Sequence, residues 1–517
     1  MTVTARPLRT LTAIAMASTA LAACTVGPNY SRPAALAAAQ PLPTAFKEAQ
    51  GWTAATPMDH IDRGAWWSVF NDPTLDALER RVAVTNQNVA AAEAAYRHAR
   101  ASVAENRATF FPTIGTSGGV TYNRSSASGG TSVISGGTII TSGNSGTGTT
   151  TGTGSTGTTS GGTVTTNSGS RGSTRYNVGL NASWEPDVWG RIRRTVEASR
   201  ANAQASAADL QAATLSAQAE LAIDYFELRV LDEQKRLLTA TVTGYQRSQK
   251  LTQNQYNAGV VARADVISAT SQVQSAQAQL IDLDNQRAAR EHAIAALVGT
   301  APANLTLVAA PMPPGVPVAP AGLPSQLLER RPDIAGAERS VASANANVGV
   351  QIAAYYPNLT LSGSGSASST AIDKLFSLSN FTWSIGPQLA YTILDFGARK
   401  ARVQQARAQY DQTVANYRQT VLTAFQAVED QLSALRILEQ EQALRLAAEQ
   451  SARQSEQIAL NQYQAGQTTF TTVVTAQVQS LQAQQTTLNV LGARLTASVS
   501  LIQALGGGWT QSDLPKG

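Results

Sequence analysis

Few side chains in this sequence of 517 residues are equipped for chemistry. Cys24 is the only cysteine, and the three histidines, His60, His98 and His292, lie far apart. A multi-thiolate metal site and an internal disulfide both need a second thiol, so both are excluded. Two stretches fit catalytic patterns. Gly115-Thr116-Ser117-Gly118-Gly119 has the spacing of a nucleophile elbow, and residues 152–157 have that of GxGxxG. Each motif works only where a strand runs into a helix. The first lies within an alternating strand pattern with no helix after it, and the second lies in low-complexity sequence. Neither supports catalysis, and no cofactor or metal is expected.

The remaining composition is weakly charged. Only 14% of residues are Asp, Glu, Lys or Arg, against roughly 25% in soluble domains. The formal charge is +5, with Arg6 and Arg9 inside a segment expected to be removed, so nucleic acid is not an expected partner. Residues 1–23 read as a secretion signal: two arginines, an apolar stretch from Leu11 to Leu21, then small residues. The stretch is too short to span a bilayer, and no later run supplies about 18 apolar residues. Membrane insertion must therefore come from β-strands or from lipid. Leu21-Ala22-Ala23-Cys24 resembles the lipobox of bacterial lipoproteins, in which the cysteine is lipidated and becomes the first mature residue. The resemblance makes Cys24 the lipidation site, and Thr25 after it favours sorting to the outer membrane.

Long-range order comes from an internal repeat. Gly190, Gly259 and Gly299 recur as Gly397, Gly466 and Gly506, each at an offset of 207 residues. Tyr256-Asn257-Ala258-Gly259 falls on Tyr463-Gln464-Ala465-Gly466. Upstream, Val89 to Pro112 matches Ile334 to Pro357 at a different offset, pairing Glu93 with Glu338 and Phe110-Phe111-Pro112 with Tyr355-Tyr356-Pro357. The change of offset locates an insertion in a Gly/Ser/Thr-rich stretch that cannot bury a core. Ile192 to Gln255 and Arg399 to Gln462 contain no proline and almost no glycine, which predicts helices of roughly 95 Å. Helices of that length need neighbours, so coiled-coil hairpins turning at Gly259 and Gly466 are expected.

Between the helices the period changes to two. Tyr176, Val178, Leu180, Ala182 and Trp184 alternate with Asn177, Gly179, Asn181 and Ser183. In the second copy Phe381, Trp383, Ile385, Leu389, Tyr391 and Ile393 alternate with Thr382, Ser384, Gly386, Gln388 and Thr392. Weaker partners run from Ile114 to Tyr122 and from Leu359 to Ala367. Each run has about the 9–11 residues of a tilted membrane strand, with aromatics spaced for two interfacial girdles. A soluble sandwich strand also alternates. Four strands cannot close a membrane barrel alone, so a barrel must be shared between chains. Two chains give eight strands and a filled interior, three give twelve and a passage. Pro387 removes a ladder donor and is best accommodated at a bulge.

These residues are similar to the outer-membrane factors, the TolC-like family of tripartite efflux and type I secretion systems, and most to the lipoprotein branch serving RND-type multidrug exporters (OprM/NodT-like). The resemblance rests on Cys24-Thr25-Val26-Gly27-Pro28-Asn29-Tyr30, on Trp66-Trp67-Ser68-Val69-Phe70-Asn71-Asp72-Pro73, and on Arg330-Arg331-Pro332-Asp333-Ile334 with Glu338. It implies a mainly α fold with transmembrane β: a homotrimer with a twelve-stranded barrel continued by an α-helical coiled-coil tunnel through the periplasm. It implies no enzymatic step. The two helical turns would meet a periplasmic adaptor through Tyr256, Gly259, Asp265, Tyr463 and Gly466, and an inner-membrane RND pump would drive transport. Relatives often carry Asp-Ala-Gln-Arg after the second turn as a charged latch. Here the run is Thr475-Ala476-Gln477-Val478, leaving Thr471, Thr475 and Val478 as the candidate constriction. Asp265 could replace the latch or cap the following helix.

The expected organisation is a signal (1–23), a lipidated segment (24–72), a first repeat (73–310), a Pro-rich linker (311–324), a second repeat (325–506) and a tail (507–517). The first repeat holds a β-hairpin at 112–186 with an outer loop at 123–175, and a helical hairpin at 190–299. The second holds a β-hairpin at 357–394 and a helical hairpin at 397–506. Asn177, Asn181, Ser183, Thr382, Ser384 and Gln388 form the polar, uncharged face expected to line the barrel lumen. The expected function is a passive outer-membrane exit duct for drugs or other small toxic compounds. The alternatives are the duct of an ABC-driven type I secretion system and a trimeric surface adhesin or structural coiled coil.

Overall fold

The computed structural model describes residues 25–36, 43, 45–48, 65–124, 172–313, 315–317, 330–509 and 514. The signal, Cys24 and loop residues 125–171 lie outside the described residues. The chain divides into a helical unit (residues 1–108, 187–357 and 392–517) and a strand unit (109–186 and 358–391).

The helical unit contains α1 (Pro73–Thr85), α2 (Gln87–Ala108), α3 (Arg191–Asn257), α4 (Arg263–Leu297), α5 (Pro332–Ala353), α6 (Ala398–Gln464) and α7 (Phe470–Ala504). α3 and α6 have 67 residues each, about 100 Å of helix. The duplication holds to the residue. The bounds of α3 and α4 become those of α6 and α7 on adding 207, and those of α2 become those of α5 on adding 245. α3, α4, α6 and α7 end on Gly259, Gly299, Gly466 and Gly506, all at positive φ. At each, the glycine N–H and the following N–H bond back into the last turn, as in Gly259 N to Tyr256 O (2.9 Å) and Val260 N to Gln255 O (2.9 Å). This is the Schellman stop, which satisfies carbonyls a helix end would otherwise orphan.

α3 is the hub, packing against α2, α4, α5 and α7. Its alanines, among them Ala198, Ala201, Ala205 and Ala208, are buried on several sides and let neighbours approach closely. Around its middle Trp66, Trp67, Phe70, Leu75 and Val82 pack against Tyr225, Phe226 and Leu228. Asp72 opens α1, with Pro73 in its first turn, by accepting from Thr74 N (2.9 Å) and Leu75 N (3.2 Å), while its other oxygen accepts from Tyr225 Oη (2.5 Å). Asp232 joins Arg229 (2.7 Å) and Arg287 (2.8 Å), whose guanidinium groups donate to the Val308 and Leu307 carbonyls. That buried network ties the chain between the repeats to α3 and α4.

The strand unit contains β1 (Thr113–Arg124), β2 (Gly172–Trp184), β3 (Asn358–Ser369) and β4 (Phe381–Ala390), an antiparallel meander in sequence order. β1 becomes β3 on adding 245, and the change to 207 falls between β1 and β2. β1 and β2 reach past the limits expected for the outer loop, to Arg124 and back to Gly172. β4 stops short of the alternation that ran on to Ile393. There the Thr392 carbonyl accepts from Arg399 (2.6 Å) and Asp395 from the N–H of Arg399 (3.0 Å), which turns the chain into α6. Pro387 stands opposite Leu361 in an unbroken ladder, so no bulge relieves it there. An edge strand tolerates the missing donor.

Two consequences can be measured by unfolding. A methyl at Gly299 would fall on the Thr85 carbonyl oxygen, whereas one at Gly259 meets nothing within 4 Å. Gly259→Ala should cost only the left-handed penalty, about 1–2 kcal/mol, and Gly299→Ala a further ~1–3 kcal/mol from overpacking. Glu79 on α1 is fully buried with neither carboxyl oxygen hydrogen-bonded, and burial pushes its carboxyl from 4.5 up to about 9. The fold therefore holds a proton that the unfolded chain releases, and stability falls as pH rises from 4.5 toward 9. Glu79→Gln should raise the melting midpoint at pH 8 and leave it unchanged at pH 4.

Candidate functional site

The register sorts the sheet into two chemically distinct faces. Tyr176, Val178, Leu180 and Trp184 share a side with Ile114, Val120 and Tyr122 of β1, with Leu359 and Leu361 of β3, and with Phe381, Trp383, Ile385 and Leu389 of β4. Most of these are exposed, Trp383 to 72%. The opposite side carries Asn177, Asn181, Ser183, Thr382, Ser384 and Gln388 with Ser362, Ser364, Ser366 and Ser368 of β3; Ser364 bonds Ser384 (2.9 Å) and Ser366 bonds Thr382 (3.1 Å). All six polar residues singled out in the sequence thus share one face. Arg175, opposite Thr121 at the loop end, lies on that face as well, so it is not wholly uncharged.

At the helical turns the two copies differ. Tyr256 is 39% exposed, while its equivalent Tyr463 is 4% exposed, its ring tilted at 58° to that of Phe470 with centroids 5.3 Å apart, among Ala269 and Val473. Its hydroxyl donates to Thr252 Oγ1 (3.3 Å), and Gln477 Nε2 donates to Ser248 Oγ (3.4 Å), so two polar links join α7 and the end of α6 to α3. Tyr463, expected to meet a partner, is instead internal packing: its neighbours on α3 and α7 enclose the ring. Gly259 and Gly466 are open, with φ of 76° and 70°. The N-cap of α4 is Ala262, with no side-chain acceptor; Asp265 sits in the first turn, complementing the helix dipole rather than capping. Thr471, Thr475 and Val478 are exposed at i, i+4 and i+7, one stripe of α7.

Residues 25–36 form a strap on the helical unit. Val26 N donates to Trp189 O (3.2 Å), and Arg194 donates to Asn29 Oδ1 (2.9 Å) and to the Gly27 carbonyl (3.3 Å). Asn345 donates to the Pro28 carbonyl (3.1 Å), and Tyr30 donates to Glu338, a fully buried carboxylate also held by Arg339. Burial, then the Glu338 bond, push the Tyr30 hydroxyl up. Gly27, at φ 103°, passes so close to Gly349 that any side chain would collide. Further on, Phe46 packs on Val428 and Leu432, and Glu48 pairs with Arg436.

The sequence matches the family described as outer membrane efflux protein over residues 80–300 and 323–507. The chain belongs to the outer membrane efflux protein family. It is 29% identical to the pyoverdine export outer membrane protein OpmQ of Pseudomonas aeruginosa over 495 residues, covering 95% of this chain and 97% of that one. It is 27% identical to the probable outer membrane lipoprotein SilC of Salmonella typhimurium, again over 95% and 97% of the two chains. Among solved structures the outer-membrane channel OprN superposes with a TM-score of 0.78 at 27% identity, covering 94% of this chain and 100% of that one.

As an outer-membrane efflux channel component, the chain needs one lipid-facing surface and one water-facing surface, and the sheet supplies both. The strap brings together two motifs that read as separate in sequence, Val26–Tyr30 and Glu338. Arg194, Asn345, Ser248 and Thr252 were not singled out beforehand. Isolated polar residues inside long helices hint at buried links only once the packing partner is known. Ile385→Arg, at the middle of β4, should block insertion, costing about 2–4 kcal/mol near mid-bilayer. Ser384→Arg, one residue along on the other face, should insert normally, as read by heat-modifiable mobility of outer-membrane fractions.

Proposed function

We propose that three copies of this chain close their sheets into a twelve-stranded barrel and act as a passive exit duct for drugs or other small toxic compounds. An inner-membrane RND-type pump would drive the flux and a periplasmic adaptor would join pump to duct. The observation that carries this reading is a membrane-length sheet with one apolar face, one polar face and two free edges. Open edges are not tolerated in lipid. Because β1 and β4 run in opposite directions, β4 of one copy can pair antiparallel with β1 of the next, a head-to-tail contact that closes as a ring. Eight strands leave an interior filled by side chains, whereas twelve leave room for a passage.

On this reading Asn177, Asn181, Ser183, Thr382, Ser384 and Gln388 line the lumen, where hydroxyls and amides suit varied small solutes. Tyr256, Gly259, Asp265 and Gly466 offer the adaptor its contact, with Tyr463 bracing the turn from within. Thr471, Thr475 and Val478 form the periplasmic constriction, which would close by packing and hydroxyl contacts without a charged latch. Cys24 carries the lipid, as the name of the relative SilC supports. The adjoining strap then transfers that anchorage to α3 and α5. No chemical step is required of the chain.

The test is in-cell crosslinking followed by purification on this protein and identification of the inner-membrane component. An RND transporter with its adaptor is the expected catch. Recovery of an ABC transporter would instead make this the duct of a type I secretion system.

A further inference from the structure

Resting on the ring of copies proposed above, we propose the register of its seam: β4 of one copy lies against β1 of the next with facing residue numbers that sum to 507. The duplication inside one chain fixes this pairing. β1 maps onto β3 by adding 245, and β2 onto β4 by adding 207. The two hairpins confirm that these offsets preserve pairing, because Thr113 opposite Ser183 becomes Asn358 opposite Ala390, both observed pairs. The chain also contains one junction between repeats, β2 against β3, running from Tyr176 opposite Ser369 to Trp184 opposite Leu361. Its equivalent joins the last strand of the second repeat to the first strand of another copy's first repeat. Tyr176 and Ser369 become Trp383 and Arg124; Trp184 and Leu361 become Tyr391 and Thr116.

Two independent features agree with this seam. In the sheet, a sum of 507 sets Ile385 beside Tyr122 and Pro387 beside Val120, apolar on apolar, and Gly386 beside Thr121 on the polar face. A slip of one residue would turn every apolar side chain of one strand to the wrong face. Among the helices, α5 is buried against α3, with Gly336 close to Ala208 and Gly349 against Arg194. The equivalent residues, Ala91 and Ala104 on α2 and Ala415 and Ala401 on α6, are all exposed. The offsets thus bring α6 of one copy onto α2 of the next as they bring β4 onto β1. The partner this surface fits is a second copy of the same chain.

The full chain carrying Thr121→Cys and Gly386→Cys, a pair summing to 507, is oxidised in outer-membrane fractions and run on non-reducing gels. Facing Cα atoms in an antiparallel ladder lie about 4.5–5.5 Å apart, within disulfide reach. Gly386 has open space for the new side chain. The expected result is a dimer and trimer ladder that dithiothreitol collapses, strong for this pair and weak when Gly386→Cys is combined with Gly119→Cys or Asn123→Cys. Single-cysteine variants remove any contribution from Cys24. A stronger ladder from either slipped pair overturns the register while leaving the trimer. So does the absence of every ladder from protein that sediments as a trimer in detergent. Sedimentation as a single chain would instead sink the ring of copies itself.

Discussion

A peptide group in hydrocarbon has no water to bond, so every edge N–H and C=O of a membrane sheet must be paired by the protein. β1 and β4 each have one edge unpaired in the chain, and much of what surrounds them can be understood as provision for that debt. The meander has an even number of strands, so its two edges run in opposite directions and can meet antiparallel. Its large apolar side chains are sorted to one face and most of its polar ones to the other, because a period of two is the only pattern that keeps lipid and water on separate sides. Pro387, awkward in a central strand, stands in a strand that is an edge until another copy arrives.

The helical unit solves a different problem with the same economy of sequence. Helices in proteins owe most of their stability to packing rather than propensity, and the 67-residue helices here have alanine-lined contacts that let several neighbours approach at once. Each long helix ends on a glycine in the left-handed region, which makes the stop a backbone decision independent of partners. The repeats share these stops but not their side-chain environments. Tyr463 is enclosed and Tyr256 is open, because α7 packs on α3 while the corresponding face of α4 has no such neighbour within the chain.

Much of this was legible beforehand, and the reasons differ by feature. The 207-residue offset exposed the helices, their turns and their glycines because glycine at a helix stop is dictated locally. The strand faces were legible because alternation is a local period. Lost were features set by particular side-chain and backbone contacts that leave no periodic signal. The ends of β4 depend on Asp395 and Arg399, the burial of Tyr463 on Thr252 and Phe470, and the absence of a cap at Asp265 on Ala262 taking that position.

The sequence alone determined the class of the protein: a duplicated helix and strand unit, too few strands to close, with a lone cysteine after a signal. Those conclusions follow from periodicity, glycine spacing and counting, which are properties of the chain before it folds. Only the tertiary structure decided that the segment after Cys24 is strapped by Arg194, Asn345 and Glu338, and that the duplication extends to pairing register. Hydrogen-bond partners hundreds of residues apart leave no local period, and a register exists only once two strands have met.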